Sequence, residues 1–184
     1  QGLARFELVE TLRPEAVAVA ARLGEQGLCL HLYSGDATPA VQQQAHALGI
    51  DDAAGRLSPE DKLQRLRALQ QQGRVVVMVG DGLNDAPVLA GANVSVAMAG
   101  AVPLAQHSAD VVLVRPSLQA LPEAIDMARR TRRIIHQNLV WAVGYNLVAL
   151  PLAAAGGVTP WIAALAMVAS SLTVTLNALR LTRR

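Results

Sequence analysis

The chain has 184 residues, of which 52% are hydrophobic and only 16% are charged, and its mean hydropathy is +0.32. All fourteen acidic residues lie at or before Asp126; residues 1–126 hold nine basic residues and a net charge of −5, whereas residues 127–184 hold seven arginines and no acid. This composition is too apolar for an ordinary soluble domain and excludes a uniformly soluble protein. We therefore expect an acidic, soluble part joined to a basic, membrane-embedded part, and no nucleic-acid partner.

The soluble part alternates short apolar runs with helix-like segments. The runs "LCLHLY" (28–33), "VVVMV" (75–79), "VSVAM" (94–98) and "VVLV" (111–114) are typical of buried strands. One helix is predicted between Pro14 and Gly27, and another begins at Ser58 as N-cap and stops at Gly73. This order predicts an α/β domain over residues 1–116, with a mostly parallel sheet and helices on both faces.

Between Ile134 and Leu179 the sequence has no Asp, Glu, Lys or Arg. That length exceeds two crossings of about 20 residues each through a bilayer, and "GGVTP" interrupts it. We predict two transmembrane helices in residues 137–184, at about 137–155 and 160–181. An amphipathic connecting helix at 117–136 would precede them.

Arginines flank the outer ends of both predicted spans, and the loop between the spans has none. The positive-inside rule then predicts that both ends of the hairpin, and the whole soluble part, lie in the cytoplasm. We expect a multi-pass protein of the inner (plasma) membrane. The single cysteine, Cys29, excludes an internal disulfide, which fits a reducing compartment. Because Gln1 is not a natural start, we expect a piece of a longer protein.

Three polar segments come directly after predicted strands or at the start of a predicted helix. Ser34, Gly35 and Asp36 end one strand, Lys62 opens a helix, and the loop Gly80-Asp81-Gly82-x-Asn84-Asp85 ends the next strand. A hydroxyl and backbone N–H groups can hold phosphate oxygens, a lysine can offset phosphoryl charge, and a carboxylate can hold Mg²⁺. Because ligands bind beyond the carboxyl ends of parallel strands, these residues predict a phosphoryl-transfer site.

Lys62 is the only lysine among sixteen basic residues. In isolation, a solvated residue of the helical run "PEDKLQR" is the simpler interpretation. Its position between two acidic loops, in a chain that otherwise uses arginine, instead favours a site that requires a compact ammonium group.

The segments "SGD", "SPEDK" and "MVGDGLNDAP" resemble motifs of the haloacid dehalogenase superfamily in the form found in P-type ATPases. The resemblance covers essentially the whole chain and implies ATP and Mg²⁺ as cofactors. It implies that Ser34 and Gly35 contact the phosphoryl group, Lys62 offsets its charge, Asp81 binds Mg²⁺, and Asn84 and Asp85 position the phosphate and the lysine. Asp36 belongs to the first of these motifs, and Gly80 and Gly82 belong to the cofactor-binding loop.

The family's phosphorylated aspartate has no counterpart here, because no aspartate precedes Asp36. Asp36 itself could be the nucleophile of a small phosphatase only if residues 38–62 supplied a further strand ending in Ser or Thr, and these residues are predicted to be helix and loop. We therefore expect the nucleophile, and the nucleotide-binding domain, in an upstream part of the same protein. The chain alone is expected to be inactive.

The membrane hairpin carries "GYN" (144–146) and "MVASS" (167–171), in which Met167 and Ser171 share one helix face. A thioether suits Cu(I), and the spans hold no charge to neutralise a divalent ion. The simpler alternative is a contact between small and polar residues of neighbouring helices. The pattern resembles copper-transporting heavy-metal P-type ATPases, including the subgroup for cytochrome oxidase assembly, which implies Cu(I) transport at Tyr145, Asn146, Met167 and Ser171.

Other functions stay open at this point. A zinc or cadmium P-type ATPase, a membrane-anchored phosphatase of the haloacid dehalogenase type and a non-catalytic remnant are the alternatives. For a copper exporter, a copper chaperone is a candidate partner. Asn93 and Ser95 depart from the family's commoner Asp and Gly, outside the catalytic set.

Overall fold

The computed structural model describes residues 11–80, 85–101, 107 and 109–182. The chain divides into two compact units, Gln1–Pro122 and Glu123–Arg184. The boundaries predicted from the sequence, after residues 116 and 136, stay predictions.

The first unit alternates helices and strands. Its elements are α1 (Ala16–Glu25), β1 (His31–Tyr33), α2 (Thr38–Leu48), β2 (Asp52–Ala54), α3 (Pro59–Gln71), β3 (Val77–Gly80), α4 (Ala86–Gly91), β4 (Val94–Ala97) and β5 (Val111–Val112). Every strand pairing among them is parallel, as the sequence predicts. The unit therefore has the α/β architecture with parallel strands that the sequence predicts.

Local signals in the sequence set the first and third helices. α1 buries Ala16, Val19, Ala20 and Leu23, whose spacing places them on one face. α3 begins with a capping box, in which Ser58 accepts from the Asp61 N–H and the Asp61 carboxylate accepts from the Ser58 N–H. Gly27 and Gly73 follow the two helices with φ of 79° and 78°, so the predicted ends are confirmed.

The strands form two hydrogen-bonded groups, where the sequence predicts a single sheet. β1 pairs with β2, and separately β3, β4 and β5 lie side by side in that order. Behind the second group, Leu89, Ala97 and Ala101 form a buried cluster against Met78. Within the described ranges, no strand pairs with the second edge of β1 or of β3. β1 and β3 are therefore edge strands of their groups, each with one unpaired side among the described residues.

The interpretation of residues 38–62 as helix and loop only is wrong, because β2 lies within them. Its register places Asp52 beside His31 and Ala54 beside Tyr33. Asp and Ala are poor strand formers, so this strand depends on its pairing with β1, which the local sequence does not reveal. β2 leads into Gly55 and Arg56, so it does not end in the Ser or Thr that a self-sufficient phosphatase would need.

The second unit contains most of α5 (Ala120–Ala154) and all of α6 (Pro160–Leu179). α5 is one continuous helix of 35 residues that joins the predicted connecting helix to the first predicted span. Of the helices in the described ranges, α6 alone is long and apolar enough to cross a membrane. Polar Gln137, Asn138 and Asn146 dilute the apolar half of α5. The second predicted span is thus supported by length and composition, and the first stays a prediction.

Polar side chains connect the two helices of the hairpin. Asn177 donates to Asn138 Oδ1 at 2.9 Å, and the Trp141 indole donates to Ser170 Oγ at 3.2 Å. As residue number rises along α5 it falls along α6, so the two helices are antiparallel. The arginines before α5's apolar half and Arg180 after α6 consequently lie at the same end of the hairpin.

Candidate active site

The loop after β1 is held by short-range hydrogen bonds. The Ser34 hydroxyl donates to Asp36 Oδ2, and the Asp36 N–H donates to Ser34 Oγ at 3.2 Å. The Ser34 N–H also donates to the Ala54 carbonyl at 3.0 Å, which extends the pairing of β1 with β2 by one residue. Ser34 and Asp36 are therefore fixed at the carboxyl end of the strand.

The segment that leads into α3 forms backbone hydrogen bonds with this loop. The Arg56 and Leu57 N–H groups donate to the carbonyls of Asp36 and Ser34 at 2.7 and 3.0 Å. A Cβ on Gly55 would lie 2.7 Å from the Thr38 Cα, so no side chain fits there. These backbone contacts connect the first motif directly to the start of the helix that carries Lys62.

Lys62 and Asp85 meet in a partly buried ion pair. Lys62 Nζ lies 2.8 Å from Asp85 Oδ1, with side-chain exposures of 13% and 16%. Asp85 stands at the start of α4, five residues after Gly80 at the end of β3. The pair therefore brings the second and third sequence motifs together, as the family resemblance implies.

Gly80, the last residue of β3, lies directly against Asp85. A Cβ on Gly80 would lie 3.1 Å from the Asp85 Cβ, so glycine permits this close approach. A Cβ on Gly35 would reach only ordinary contact, 3.5 Å from the Leu57 carbonyl oxygen. The remaining predicted residues of the loop, Asp81, Gly82 and Asn84, lie outside the described residues.

The donor set suits a hard cation only in part. Asp36 and Asp85 offer carboxylate oxygens, the ligand type that Mg²⁺ prefers. In the part of the chain that the structure describes, no group of three His, Cys, Asp or Glu side chains could hold a metal ion. A magnesium site would therefore depend on Asp81, the residue that the sequence assigns to it.

The unusual residues Asn93 and Ser95 anchor β4. Asn93 Oδ1 accepts from the Val76 N–H at 2.9 Å, and Asp110 Oδ2 accepts from both the N–H and the hydroxyl of Ser95. The Ser95 N–H lowers the pKa of Asp110 most, followed by its hydroxyl. These side chains position β4 beside its two neighbours, so their role in the described structure is structural.

Sequence reasoning missed a polar cluster on β1 and β2. Asp52 Oδ2 accepts from the Tyr33 hydroxyl and lies the same distance, 2.6 Å, from His31 Nδ1, while the Arg65 guanidinium lies 5.2 Å from the Tyr33 ring centroid. The Tyr33 hydroxyl is the main cause of the lowered pKa of Asp52. Burial is the main cause of the raised pKa of Tyr33. The two-residue spacing of His31 and Tyr33 was a signal, but the cluster could be found only with the register of β2.

The predicted copper-site residues lie in different environments of the hairpin. Tyr145 is half-buried, whereas Met167 is 65% exposed and Ser171 is also exposed. The Asn146 amide donates to the Ala142 carbonyl of its own helix at 2.9 Å. On α6 the neighbouring Ser170 accepts a hydrogen bond from the Trp141 indole of α5. Met167 and Ser171 thus share a face of α6, as predicted, and both side chains are exposed within the unit.

Comparison with models of known protein families identifies the family of this chain. Residues 1–93 match the model of the haloacid dehalogenase-like hydrolases. The chain therefore belongs to the haloacid dehalogenase-like hydrolase family. Within it, the chain is homologous to the C-terminal part of heavy-metal P-type ATPases, which are ion-translocating ATP hydrolases.

Relatives of three kinds support this second step. The nitrogen fixation protein FixI of Rhizobium leguminosarum is 50% identical over 97% of this chain and 24% of its own length. A copper-exporting P-type ATPase of Bacillus subtilis is 41% identical over 95% of this chain and 22% of its own length. A crystal structure of a zinc-transporting PIB-type ATPase in the E2.Pi state is also similar, with a TM-score of 0.88 and 34% identity. The match covers 94% of this chain and 28% of the chain in that crystal structure. The chain thus spans about a quarter of the relatives that it matches.

Proposed function

We propose that this chain is the C-terminal part of an ATP-driven Cu(I) exporter, in which the first unit supplies half of a phosphoryl-transfer site. The observation that carries the proposal is the ion pair of Lys62 with Asp85. It joins two of the three polar segments, and the contacts of Leu57 and Arg56 with the Ser34–Asp36 loop connect the third. Three segments far apart in sequence are thereby connected near the carboxyl ends of β1 and β3.

Each residue has a distinct role in this proposal. Ser34 and the Gly35 backbone would hold phosphoryl oxygens, and the Lys62 ammonium would offset their negative charge. Asp85 would hold Lys62 in place, and Asn84 would position the phosphate. The glycines Gly80 and Gly82 would leave room for it. A bound Mg²⁺, held by Asp81, would supply further charge neutralisation.

The attacking group is proposed to come from an upstream part of the same protein. β1 and β3 each have one unpaired edge among the described residues, so a further strand that pairs with both would complete a continuous sheet. The end of such a strand would lie between Ser34 and Asp85. An aspartate there could accept the γ-phosphoryl group of ATP and lose it to water.

The proposed transport site is carried by Tyr145, Asn146, Met167 and Ser171. Many large apolar side chains on α5 and α6 are more than half exposed within the unit, which fits contact with lipid and with further helices. The thioether of Met167 favours a soft monovalent ion over Zn²⁺. The soluble unit would lie in the cytoplasm, where a copper chaperone could deliver the ion. The subgroup for cytochrome oxidase assembly stays a prediction.

Metal-stimulated ATP hydrolysis by the full-length protein tests this function. We expect stimulation by Cu(I) that exceeds stimulation by Zn²⁺, together with a loss of about 10²-fold or more in Asp81→Ala. Greater stimulation by Zn²⁺ would overturn the assignment of the ion. Unchanged hydrolysis in Asp81→Ala would overturn the assignment of the site.

One alternative is a membrane-anchored phosphatase with Asp36 as nucleophile. The strand β2 does follow Asp36, as this alternative requires, but it lacks the Ser or Thr at its end that such an enzyme would need. The test is phosphate release from small phosphoesters by the 184-residue chain alone. Release that is abolished in Asp36→Asn would support the phosphatase and contradict the half-site. We expect no release.

A further inference from the structure

One face of α5 changes from strongly basic to apolar within about two helical turns. A groove on this face is lined by Arg129, Arg132, Arg133, Ile135, His136 and Leu139. The three arginine side chains are exposed, and none forms an ion pair with another described residue. Ile135 and Leu139 are 61% and 60% exposed. The face therefore offers unpaired cations directly beside uncovered apolar surface.

A further cation lies at the same level of the hairpin. Asn177 donates to Gln137 Oε1 at 3.2 Å and to Asn138 Oδ1 at 2.9 Å, and it accepts from Arg180 Nη1 at 3.1 Å. These bonds place Arg180 beside the turn of α5 that follows Arg133. No acidic residue occurs after Asp126, so nothing within residues 127–184 neutralises this end of the hairpin.

The spacing of charge and apolar surface matches the layers of a membrane boundary. With a rise of 1.5 Å per residue, Ile135 and Leu139 lie about 3 to 11 Å along the helix axis from Arg132 and Arg133. The headgroup layer on each side of a bilayer is about 5 to 8 Å thick. An arginine guanidinium can donate two parallel hydrogen bonds to one phosphate group.

We propose that this face binds the headgroup of an anionic phospholipid of the cytoplasmic leaflet, with the arginines on its phosphate and Ile135 and Leu139 against its acyl chains. The inference rests on the membrane placement of α5 in the proposed function. A lipid fits better than an acidic protein surface because the basic and apolar parts follow each other along the direction of the helix. A juxtamembrane cluster of arginines attracts anionic lipid electrostatically.

Two measurements on the full 184-residue chain test the proposal. Flotation with phosphatidylcholine vesicles first establishes that the chain inserts into a neutral bilayer; failure to insert would overturn the membrane placement and this inference together. Native mass spectrometry from neutral detergent, with equal amounts of phosphatidylglycerol and phosphatidylcholine, then measures lipid preference. We expect retention of phosphatidylglycerol to exceed that of phosphatidylcholine by about tenfold or more at low ionic strength.

Matched variants separate the proposed site from general charge. R129Q/R132Q/R133Q should retain both lipids equally, whereas R129K/R132K/R133K should keep most of the preference. R67Q/R74Q/R115Q removes the same charge from exposed positions of the first unit and should change nothing. An equal loss of the preference for phosphatidylglycerol in this control would overturn the proposed lipid site. Complete displacement of the lipid by millimolar inorganic phosphate would overturn it as well. A lowered unfolding temperature in R129Q/R132Q/R133Q with unchanged lipid preference would instead indicate a protein contact and overturn the proposal.

Discussion

Lys62 Nζ lies 2.8 Å from Asp85 Oδ1, and this contact joins the N-terminal turn of α3 to the start of α4. Both side chains are mostly buried, so removing either one would leave the charge of the other without a partner away from water. In Lys62→Met or Asp85→Asn alone, we expect a loss of about 1 to 3 kcal/mol in the free energy of unfolding of the first unit. The measurement is denaturant unfolding, with Arg67→Met on the exposed face of α3 as control.

A double-mutant cycle makes this prediction specific. Lys62→Met/Asp85→Asn should cost clearly less than the sum of the single substitutions, because the second change removes a charge that the first left unpaired. Additive losses would show that the two side chains do not interact.

Ser58 starts the helix that carries Lys62. The Asp61 carboxylate accepts from the Ser58 N–H at 3.0 Å, and this bond, with the Ser58 hydroxyl, lowers the pKa of Asp61. Ser58→Ala should lower stability by about 1 kcal/mol, seen as a reduced unfolding temperature, whereas Ser58→Thr should keep most of it. A greater loss in the threonine variant would contradict the capping role.

Gly55 should tolerate no side chain. Ala at this position would place its Cβ 2.8 Å from the Asp36 carbonyl oxygen and 2.7 Å from the Thr38 Cα, so the loop between β1 and α2 must move. We expect Gly55→Ala to destabilise the first unit by about 1 to 3 kcal/mol. Gly24→Ala is the control: nothing lies within 4 Å of the added Cβ inside α1, and helix propensity predicts a small gain. Equal stability of the two variants would contradict the close approach.

The cluster around Asp52 predicts a pH dependence. Because hydrogen bonds from Tyr33 and His31 lower its folded pKa, Asp52 adds stability that is present above its unfolded pKa. This contribution is lost as the pH falls through the lower, folded pKa. Unfolding experiments between pH 6 and 2 should therefore show a smaller acid-induced loss in Asp52→Asn than in the wild type. An identical pH profile would contradict the role of Asp52.

Tyr33→Phe gives an independent check of the same cluster. Removing the hydroxyl removes the main cause of the lowered Asp52 pKa, so the pKa of Asp52 should rise toward its ordinary value. A carboxyl titration by nuclear magnetic resonance would measure it. An unchanged pKa would show that the Tyr33 hydroxyl does not stabilise the carboxylate.

Much of the fold follows from local signals in the sequence. Ser58, Asp61 and Gly73 mark the ends of α3 by capping chemistry that acts within a few residues. The contact of Lys62 with Asp85 was implied only by the family resemblance. Strand topology predicted the placement of the Ser34–Asp36 and Gly80–Asp85 segments at the carboxyl ends of their strands. Such features depend only on near neighbours or on general topology.

Features that depend on long-range pairing were not predictable. β2 consists of Asp52, Ala53 and Ala54, and it becomes a strand because β1 lies beside it. Without that register the contact of Tyr33 with Asp52 has no basis in the sequence. The exposed position of Met167 likewise depends on which face of α6 packs against α5, and small residues on several faces leave that choice open.

The central claim, that the first unit supplies half of a phosphoryl-transfer site, is tested most directly by phosphate incorporation from γ-labelled ATP into the full-length protein. We predict a hydroxylamine-sensitive aspartyl-phosphate in the wild type and in Arg67→Met. In Lys62→Met, incorporation should fall by about 10²-fold. Wild-type incorporation in Lys62→Met, or an aspartyl-phosphate on Asp36, would contradict the account.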